Sequence, residues 1–337
     1  MLPGLGWRSD SARRLCARAA LAGTHRANPS TLRVRDRANL DVEATDAQYF
    51  GTDAAMYFAT GYLFGLIGMA GLAAHFDAVF LDKSAHYNLR DGARAAGKPV
   101  HSFKHLSASD LARALRREVR GGVRPLVATD GMFSTFGSVP PLAEYARLLA
   151  PLGGWLLVDE SHSFSALGPT GRGAAEHHAV SGERVLIGGS LGKGLGAYGG
   201  LAVGAAGVIA ELWQSPPARG AASGMSCGAA MAAASMRLLR QQPERLVKLR
   251  RNTLQLKTGI RTLGIDANDT EAPVAALVSG TAAEMQAVQQ SLMAEGIYVI
   301  YSTYVGAGPH GALRCAAFAD HDPADIDRLI GALRSRL

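Results

Sequence analysis

From about residue 54 the chain repeats one pattern: a short run that is apolar on both faces, then a longer stretch with helical spacing. The runs are Ala78–Leu81, Pro125–Thr129, Trp155–Val158, Val185–Gly188 and Leu201–Gly204. A strand with water on one side alternates apolar and polar residues. A strand apolar on both sides has to be covered on both, which is the condition of a mostly parallel sheet between helical layers. One covering helix starts near Pro141, places Leu142, Tyr145 and Leu149 on one side, and stops before Gly153-Gly154. This order of strand, helix and strand predicts an α/β large domain.

The rhythm changes later. From Gly228 to about Leu263 the spacing is helical with little interruption, as in a spine joining two units. Ala272–Val278 then reads as a strand. Met285, Val288 and Leu292 mark one face of a helix that stops at Gly296, and Ile297–Tyr301 and Leu313–Phe318 read as further strands. The last helix has Asp322 at its N-cap and Pro323 at its first position, followed by Ile326, Leu329, Ile330 and Leu333 at helical spacing. This is a small α+β domain. The predicted division is an Arg-rich arm over 1–40, a large domain over 41–235 and a small C-terminal domain over 236–337.

Composition narrows the class. With 48% hydrophobic and 19% charged residues among 337, the chain buries a sizeable core, which excludes wholesale disorder. The net charge of +7 is local. Residues 1–37 hold eight Arg against Asp10 and Asp36, giving +6, and the other 300 residues hold 27 basic and 26 acidic, giving +1. The arm reads as a solvated terminus, and nucleic acid is not an expected partner. Cys16, Cys227 and Cys315 are far apart and odd in number. That argues against a disulfide framework or a metal site and for a reducing, cytoplasmic setting. No Asp, Glu, Lys or Arg occurs between Asp53 and Asp77, but Gly61, Gly65, Gly68 and Gly71 break the stretch. A buried strand, a turn and a buried helix fit it better than a membrane span.

Two stretches carry chemistry. The first is Gly188-Gly-Ser190-Leu-Gly-Lys193-Gly-Leu-Gly196. A phosphate-binding P-loop needs a Gly where Ile187 stands and a hydroxyl residue after Lys193, and neither is present. A Lys in a tight turn of small residues after a strand is suited instead to form an imine with a planar cofactor. The second is Trp155-Leu-Leu-Val-Asp159-Glu-Ser-His162-Ser163. Asp159 ends an apolar strand, at the edge where open α/β sheets bind ligands. A carboxylate there keeps a pyridine nitrogen protonated, and His162 is placed to hydrogen-bond a cofactor's phenolic oxygen. A helix N-cap for Asp159 and an ordinary surface role for His162 fit the same residues.

Together these residues resemble the α-oxoamine synthases of the fold-type I pyridoxal-phosphate enzymes. That group includes 8-amino-7-oxononanoate synthase, 2-amino-3-ketobutyrate CoA ligase, 5-aminolevulinate synthase and serine palmitoyltransferase. The resemblance runs over about residues 40–337. Asp159-Glu-Ser-His162-Ser, with Gly168 and Gly171-Arg-Gly173 after it, is similar to the family's Asp-Glu-Ala-His-Ser signature, and Ser190-Leu-Gly-Lys193 to its Schiff-base motif. The resemblance implies further roles. His86, in Asp82-Lys-Ser-Ala-His86-Tyr-Asn, matches the His that stacks on the cofactor. Ser134, in Asp130-Gly-Met-Phe-Ser134, matches the Ser near the phenolic oxygen. Gly61 and Tyr62 match the turn whose N–H groups hold the phosphate, Ser190 adds a hydroxyl to it, and Ser223 corresponds to a hydroxyl given by a partner subunit. Arg314 fits the Arg that binds the amino-acid carboxylate.

The implied enzyme is a homodimeric pyridoxal 5'-phosphate transferase with a mostly parallel sheet in its large domain and a small α+β C-terminal domain. It would condense a small amino acid with an acyl thioester, on CoA or an acyl carrier, losing carbon dioxide to give an α-aminoketone. An aminotransferase on the same scaffold and a non-catalytic partner subunit of a heterodimer are the alternatives. The chain departs from the family pattern at Phe136 and Ser138, where two acidic residues are usual. It departs again at Gly194, over Ala221–Gly228, and in its N-terminal stretch.

Overall fold

The computed structural model describes residues 37–221 and 223–337. Most of the Arg-rich arm, with Cys16, lies outside the described residues. The chain enters through helix α1 (Arg37–Phe50), strand β1 (Ala54–Phe58) and α2 (Leu63–Gly71). So the uncharged stretch after Asp53 is a strand, a turn at Thr60-Gly61-Tyr62 and a helix. There follow β2 (Ala78–Asp82), α3 (Tyr87–Ala95), β3 (Val100–Phe103), α4 (Ala108–Glu118), β4 (Pro125–Asp130), α5 (Leu142–Leu149) and β5 (Trp155–Asp159). Next come α6 (Ala174–His177), β6 (Val185–Ser190), β7 (Gly200–Gly204), α7 (Ala206–Gln214), α8 (Pro216–Gly220), α9 (Ser226–Gln241) and α10 (Glu244–Arg261). The last elements are β8 (Val274–Leu277), α11 (Ala282–Ala294), β9 (Ile300–Ser302), β10 (Ala312–Ala316) and α12 (Pro323–Arg334).

Strands β1 to β7 form one sheet in the order β1-β7-β6-β5-β4-β2-β3. The five from β6 to β3 run parallel; β7 is antiparallel to β6, and β1 to β7. Alternation within each central strand feeds two cores. Val79, Leu81, Leu126, Ala128 and Leu157 pack with α2, α3 and α7 on one face. Phe80, Val127, Leu156 and Val158 pack with α4 and α5 on the other. Strand β3 was not visible to periodicity, because its Val100 and Ser102 are exposed at the sheet edge.

The near-continuous helix expected over Gly228–Leu263 is two helices. Gln242, at φ −129° and ψ 64°, ends α9. Pro243 follows it, and a residue before proline is pushed away from helical backbone. Residues 235 and 236, where the sequence reading divides large from small domain, lie inside α9. Strands β8, β10 and β9 make a separate three-stranded antiparallel sheet, covered by Leu256 and Ile260 of α10, Met285 and Leu292 of α11, and Ile326 and Ile330 of α12. Helix α12 begins as expected, with Asp322 and Asp325 in a reciprocal capping box and Pro323 at the first turn.

Candidate active site

The parallel strands β4, β5 and β6 end side by side, in a register that pairs Asp130 with Asp159 and Asp159 with Gly188. Two carboxylates therefore stand next to each other, both buried. Asp159 Oδ1 accepts from the Ser161 N–H at 2.9 Å, and its Oδ2 accepts from Nδ2 of Asn88 at 2.7 Å. Asp130 Oδ2 accepts from the backbone N–H of His86 at 2.9 Å. Burial, with the neighbouring Asp159 charge, pushes the Asp130 carboxyl well above the usual carboxylate range. His86 is the N-cap of α3, so its ring is held over the strand ends by the first turn of a helix. Helices α2 and α3 cross in close contact. A side chain at Gly65 would collide with the backbone of Asn88, and one at Gly92 with that of Gly65.

Beside these groups lies a cavity of about 240 Å3 lined by His86, Ser134, Thr135, His162, Lys193, Ile300, Ser302, Tyr304 and Arg314. The glycine turn after β6 carries Lys193 into it, with Nζ 2.8 Å from His162 Nε2. Burial lowers the basicity of the Lys193 amine, opposed by the Asp159 and Asp130 charges. Burial also drives His162 well below the ordinary histidine range, and the Lys193 charge adds to it. A neutral His162 therefore accepts from the lysine. Arg314 crosses from β10, opposite Ile300 in register, and donates through Nε to the Ser134 carbonyl at 2.6 Å. Its Nη2 is buried without a hydrogen-bond partner among the described residues. Burial lowers the guanidinium to about 10. A larger cavity of about 460 Å3 opens at the far end of β6, and no lysine or histidine among the described residues lines it.

At the other end of this site, Gly61 packs directly on Ser190, and any side chain at Gly61 would collide with the Ser190 backbone. Ser190 donates its N–H to Ser161 Oγ at 2.7 Å and accepts at Oγ from the Gly192 N–H at 3.2 Å. Helix α2 begins one residue after Tyr62 with no side chain capping it; the N–H groups of Leu63 and Phe64 donate to the Thr60 and Gly61 carbonyls at 3.0 and 3.1 Å, so what the helix offers an anion beside Ser190 is the positive end of its dipole. Tyr62 is exposed, hydrogen-bonds Asp91, and meets His86 edge-on at 6.2 Å.

Ser223 is not among the residues lining the cavity. It stands next to Gly224, whose carbonyl accepts from Asn39 and which packs on the Tyr57 ring. Glu160, inside the signature, points away from the site. It accepts the N–H groups of Ala174 and Ala175, both at 2.8 Å, and so caps α6. Six site neighbours were missed by sequence reasoning: Asn88, Asp130, Thr135, Ile300, Ser302 and Tyr304. Asn88 and Asp130 sit two and four residues from His86 and Ser134, inside the stretches that drew attention. Tyr304 continues the cavity-facing side of β9, two residues after Ser302. Its ring lies 5.8 Å from His86.

These residues fit pyridoxal phosphate. A buried carboxylate, a poorly solvated amine, a histidine ring in the same cavity, and the positive end of a helix beside a serine are groups suited to its pyridine, aldehyde and phosphate. Fold and site together define a fold-type I pyridoxal-phosphate transferase, the class that the sequence led us to expect. The chain belongs to the aminotransferase class I and II family, whose model matches residues 8–333. It is 35% identical over 291 residues to 8-amino-7-oxononanoate synthase from Methylococcus capsulatus, covering 85% of this chain and 74% of that protein. It is 31% identical over 298 residues to serine palmitoyltransferase from Caulobacter vibrioides, covering 87% and 73%. Among solved structures, a variant of serine palmitoyltransferase from S. paucimobilis with a bound PLP–myriocin aldimine matches at a TM-score of 0.92 and 25% identity, over 99% of this chain and 86% of that one.

Proposed function

We propose that the protein joins a small amino acid to an acyl thioester, releasing carbon dioxide and a free thiol and leaving an α-aminoketone. The observation that carries this reading is the Arg314 guanidinium, buried in the same cavity as Lys193 with Nη2 unpartnered. A buried cation of this kind is matched to one carboxylate. Among the described residues Arg314 is the only arginine lining the cavity. An amino transfer between two acids with distinct anchoring groups wants a second. The joint presence of Lys193, Asp159, His86 and His162 speaks against a non-catalytic subunit.

Bound pyridoxal phosphate supplies an electron sink conjugated with the amino-acid nitrogen. Asp159 would hold the proton on its pyridine nitrogen, and His86 would pack against its ring. Gly61, Tyr62 and Ser190 would hold its phosphate, and His162 and Ser134 would bind its phenolic oxygen. Lys193 would be the residue that holds the cofactor when no amino acid is bound. Once displaced, its amine moves the proton at Cα, taking it before the new carbon–carbon bond forms and returning it after the carboxylate leaves as carbon dioxide. Arg314 keeps that carboxylate in place until the thiolate has gone. Ile300 and Ser302 line the same cavity from the strand that pairs with that of Arg314, and Tyr304 lines it two residues further on.

The same reading makes the active form a homodimer, with Ser223 reaching the phosphate of the neighbouring subunit. The test is to supply the holoenzyme with glycine, alanine or serine and an acyl-CoA series. Carbon dioxide and thiol are expected in equal amounts. Conversion of a keto acid into an amino acid without thiol release would overturn the reading in favour of an aminotransferase.

A further inference from the structure

We propose that Asn88 is a positioning residue that couples Asp159 to His86, fixing the carboxylate's orientation and the tautomer of the imidazole through one side-chain amide. The proposal rests on the reading of Asp159 as the pyridine partner and His86 as the stacking ring.

Asn88 is fully buried in the first turn of α3. Its Nδ2 donates to Asp159 Oδ2 at 2.7 Å, and its Oδ1 lies 2.8 Å from His86 Nδ1. A carboxylate only accepts, so the amide nitrogen must face Asp159 and the amide oxygen must face His86. The oxygen also only accepts. The hydrogen of a neutral His86 ring therefore sits on Nδ1, and Nε2 is left bare. The Asn88 backbone N–H also stands in hydrogen-bond geometry to Nδ1, at 3.1 Å, the capping contact of α3. A nitrogen that donates its hydrogen in the ring plane does not accept there as well. An unprotonated Nδ1 would set its lone pair against that of Oδ1 at the shorter distance, so the side-chain contact governs.

The amide thus works as a two-ended clamp. With Ser161 on Oδ1 and Asn88 on Oδ2, both oxygens of Asp159 are held and the carboxylate cannot rotate. His86 is fixed at a second point by the bond from its own N–H to Asp130. The close crossing of α2 and α3 holds the backbone from which the clamp projects.

Two isosteric variants separate the arms. Asn88→Leu removes both hydrogen bonds. Asn88→Asp keeps an acceptor toward His86 but replaces the donor to Asp159 with an acceptor. The first readout is the ring 15N resonances of His86 in the apoprotein, assigned by comparison with His86→Gln. We expect hydrogen on Nδ1 in the parent and in Asn88→Asp, and a shift toward Nε2 in Asn88→Leu, the form free imidazole side chains prefer. The second readout is the affinity for pyridoxal phosphate relative to its 1-deaza analogue, which lacks the pyridine nitrogen. Both variants should bind pyridoxal phosphate roughly tenfold or more weakly, as for loss of a hydrogen bond to a charged group, with the analogue little changed. Equal weakening toward both ligands would overturn the proposal, because a merely structural residue acts that way. So would an unchanged Nδ1 tautomer in Asn88→Leu. Should that variant fail to fold, Asn88→Asp still carries the comparison of ligands. Asp159→Asn is the control: if it leaves the preference for the true cofactor intact, the assignment of Asp159 falls, and the tautomer readout alone decides for or against Asn88.

Discussion

Lys193 Nζ and His162 Nε2 stand 2.8 Å apart in the cavity at the ends of the parallel strands, and burial makes both less basic than they are in water. A lysine with a depressed basicity has more free amine near neutral pH and is the better nucleophile. Borohydride treatment of the holoenzyme is expected to fix the cofactor to the peptide that contains Lys193. Peptide mapping checks this; attachment to another lysine would remove Lys193 from its role.

Asp159 makes the second prediction. Asp159→Asn keeps the volume and leaves the fold intact, but withdraws the charge that holds the pyridine proton. Exchange of the amino-acid α-proton with solvent should fall by more than about a hundredfold, the scale for losing one preorganised electrostatic partner. Near-normal exchange, followed by NMR in deuterated water, would assign the pyridine nitrogen another partner.

Arg314 should respond to a change that keeps its charge. Lys cannot present two parallel N–H groups, so Arg314→Lys is expected to weaken amino-acid binding by about 1.5–3 kcal/mol. Acyl-CoA affinity should hardly change. Titrating each substrate separately distinguishes this from a general loss of structure, which would weaken both.

Glu160 predicts a stability effect away from the chemistry. Burial pushes its carboxyl up to about 7, against the lowering effect of its bonds from Ser163, Ala174 and Ala175. The folded state thus binds this proton more tightly than the unfolded chain, whose carboxyl titrates near the ordinary value. Stability from this group is full below that value and is lost as pH rises toward about 7. A loss of up to about 3 kcal/mol follows from the linkage. Thermal melts between about pH 5 and 8 should show this slope in the parent and lose much of it in Glu160→Gln.

Oligomeric state tests the role of Ser223. Light scattering should show a dimer, and Ser223→Ala should weaken cofactor retention although this serine is outside its own chain's cavity. A monomer with full activity would exclude the cross-subunit arrangement.

What the sequence by itself determined is local. Runs apolar on both faces have to be covered strands, so the central strands appeared nearly where they were expected, and Asp322-Pro323 announced α12. Asp159 and Lys193 were legible because each lies at the end of such a strand, in a short stretch whose residue types serve one chemistry. What only the tertiary structure decided depends on which strands lie side by side. β7 inserts between β1 and β6 and runs antiparallel, and β3 takes an edge, where a half-exposed strand has no distinctive period. That order sets Asp130 beside Asp159 and brings Asn88 onto a carboxylate 71 residues away. It also leaves the packing of Tyr304 against His86, and the placement of Arg314 in one cavity with Lys193, to the seating of the three-stranded sheet. Periodicity records which face of an element is apolar. It carries nothing about which loop ends are neighbours, because that is settled by loop closure and core packing over the whole chain.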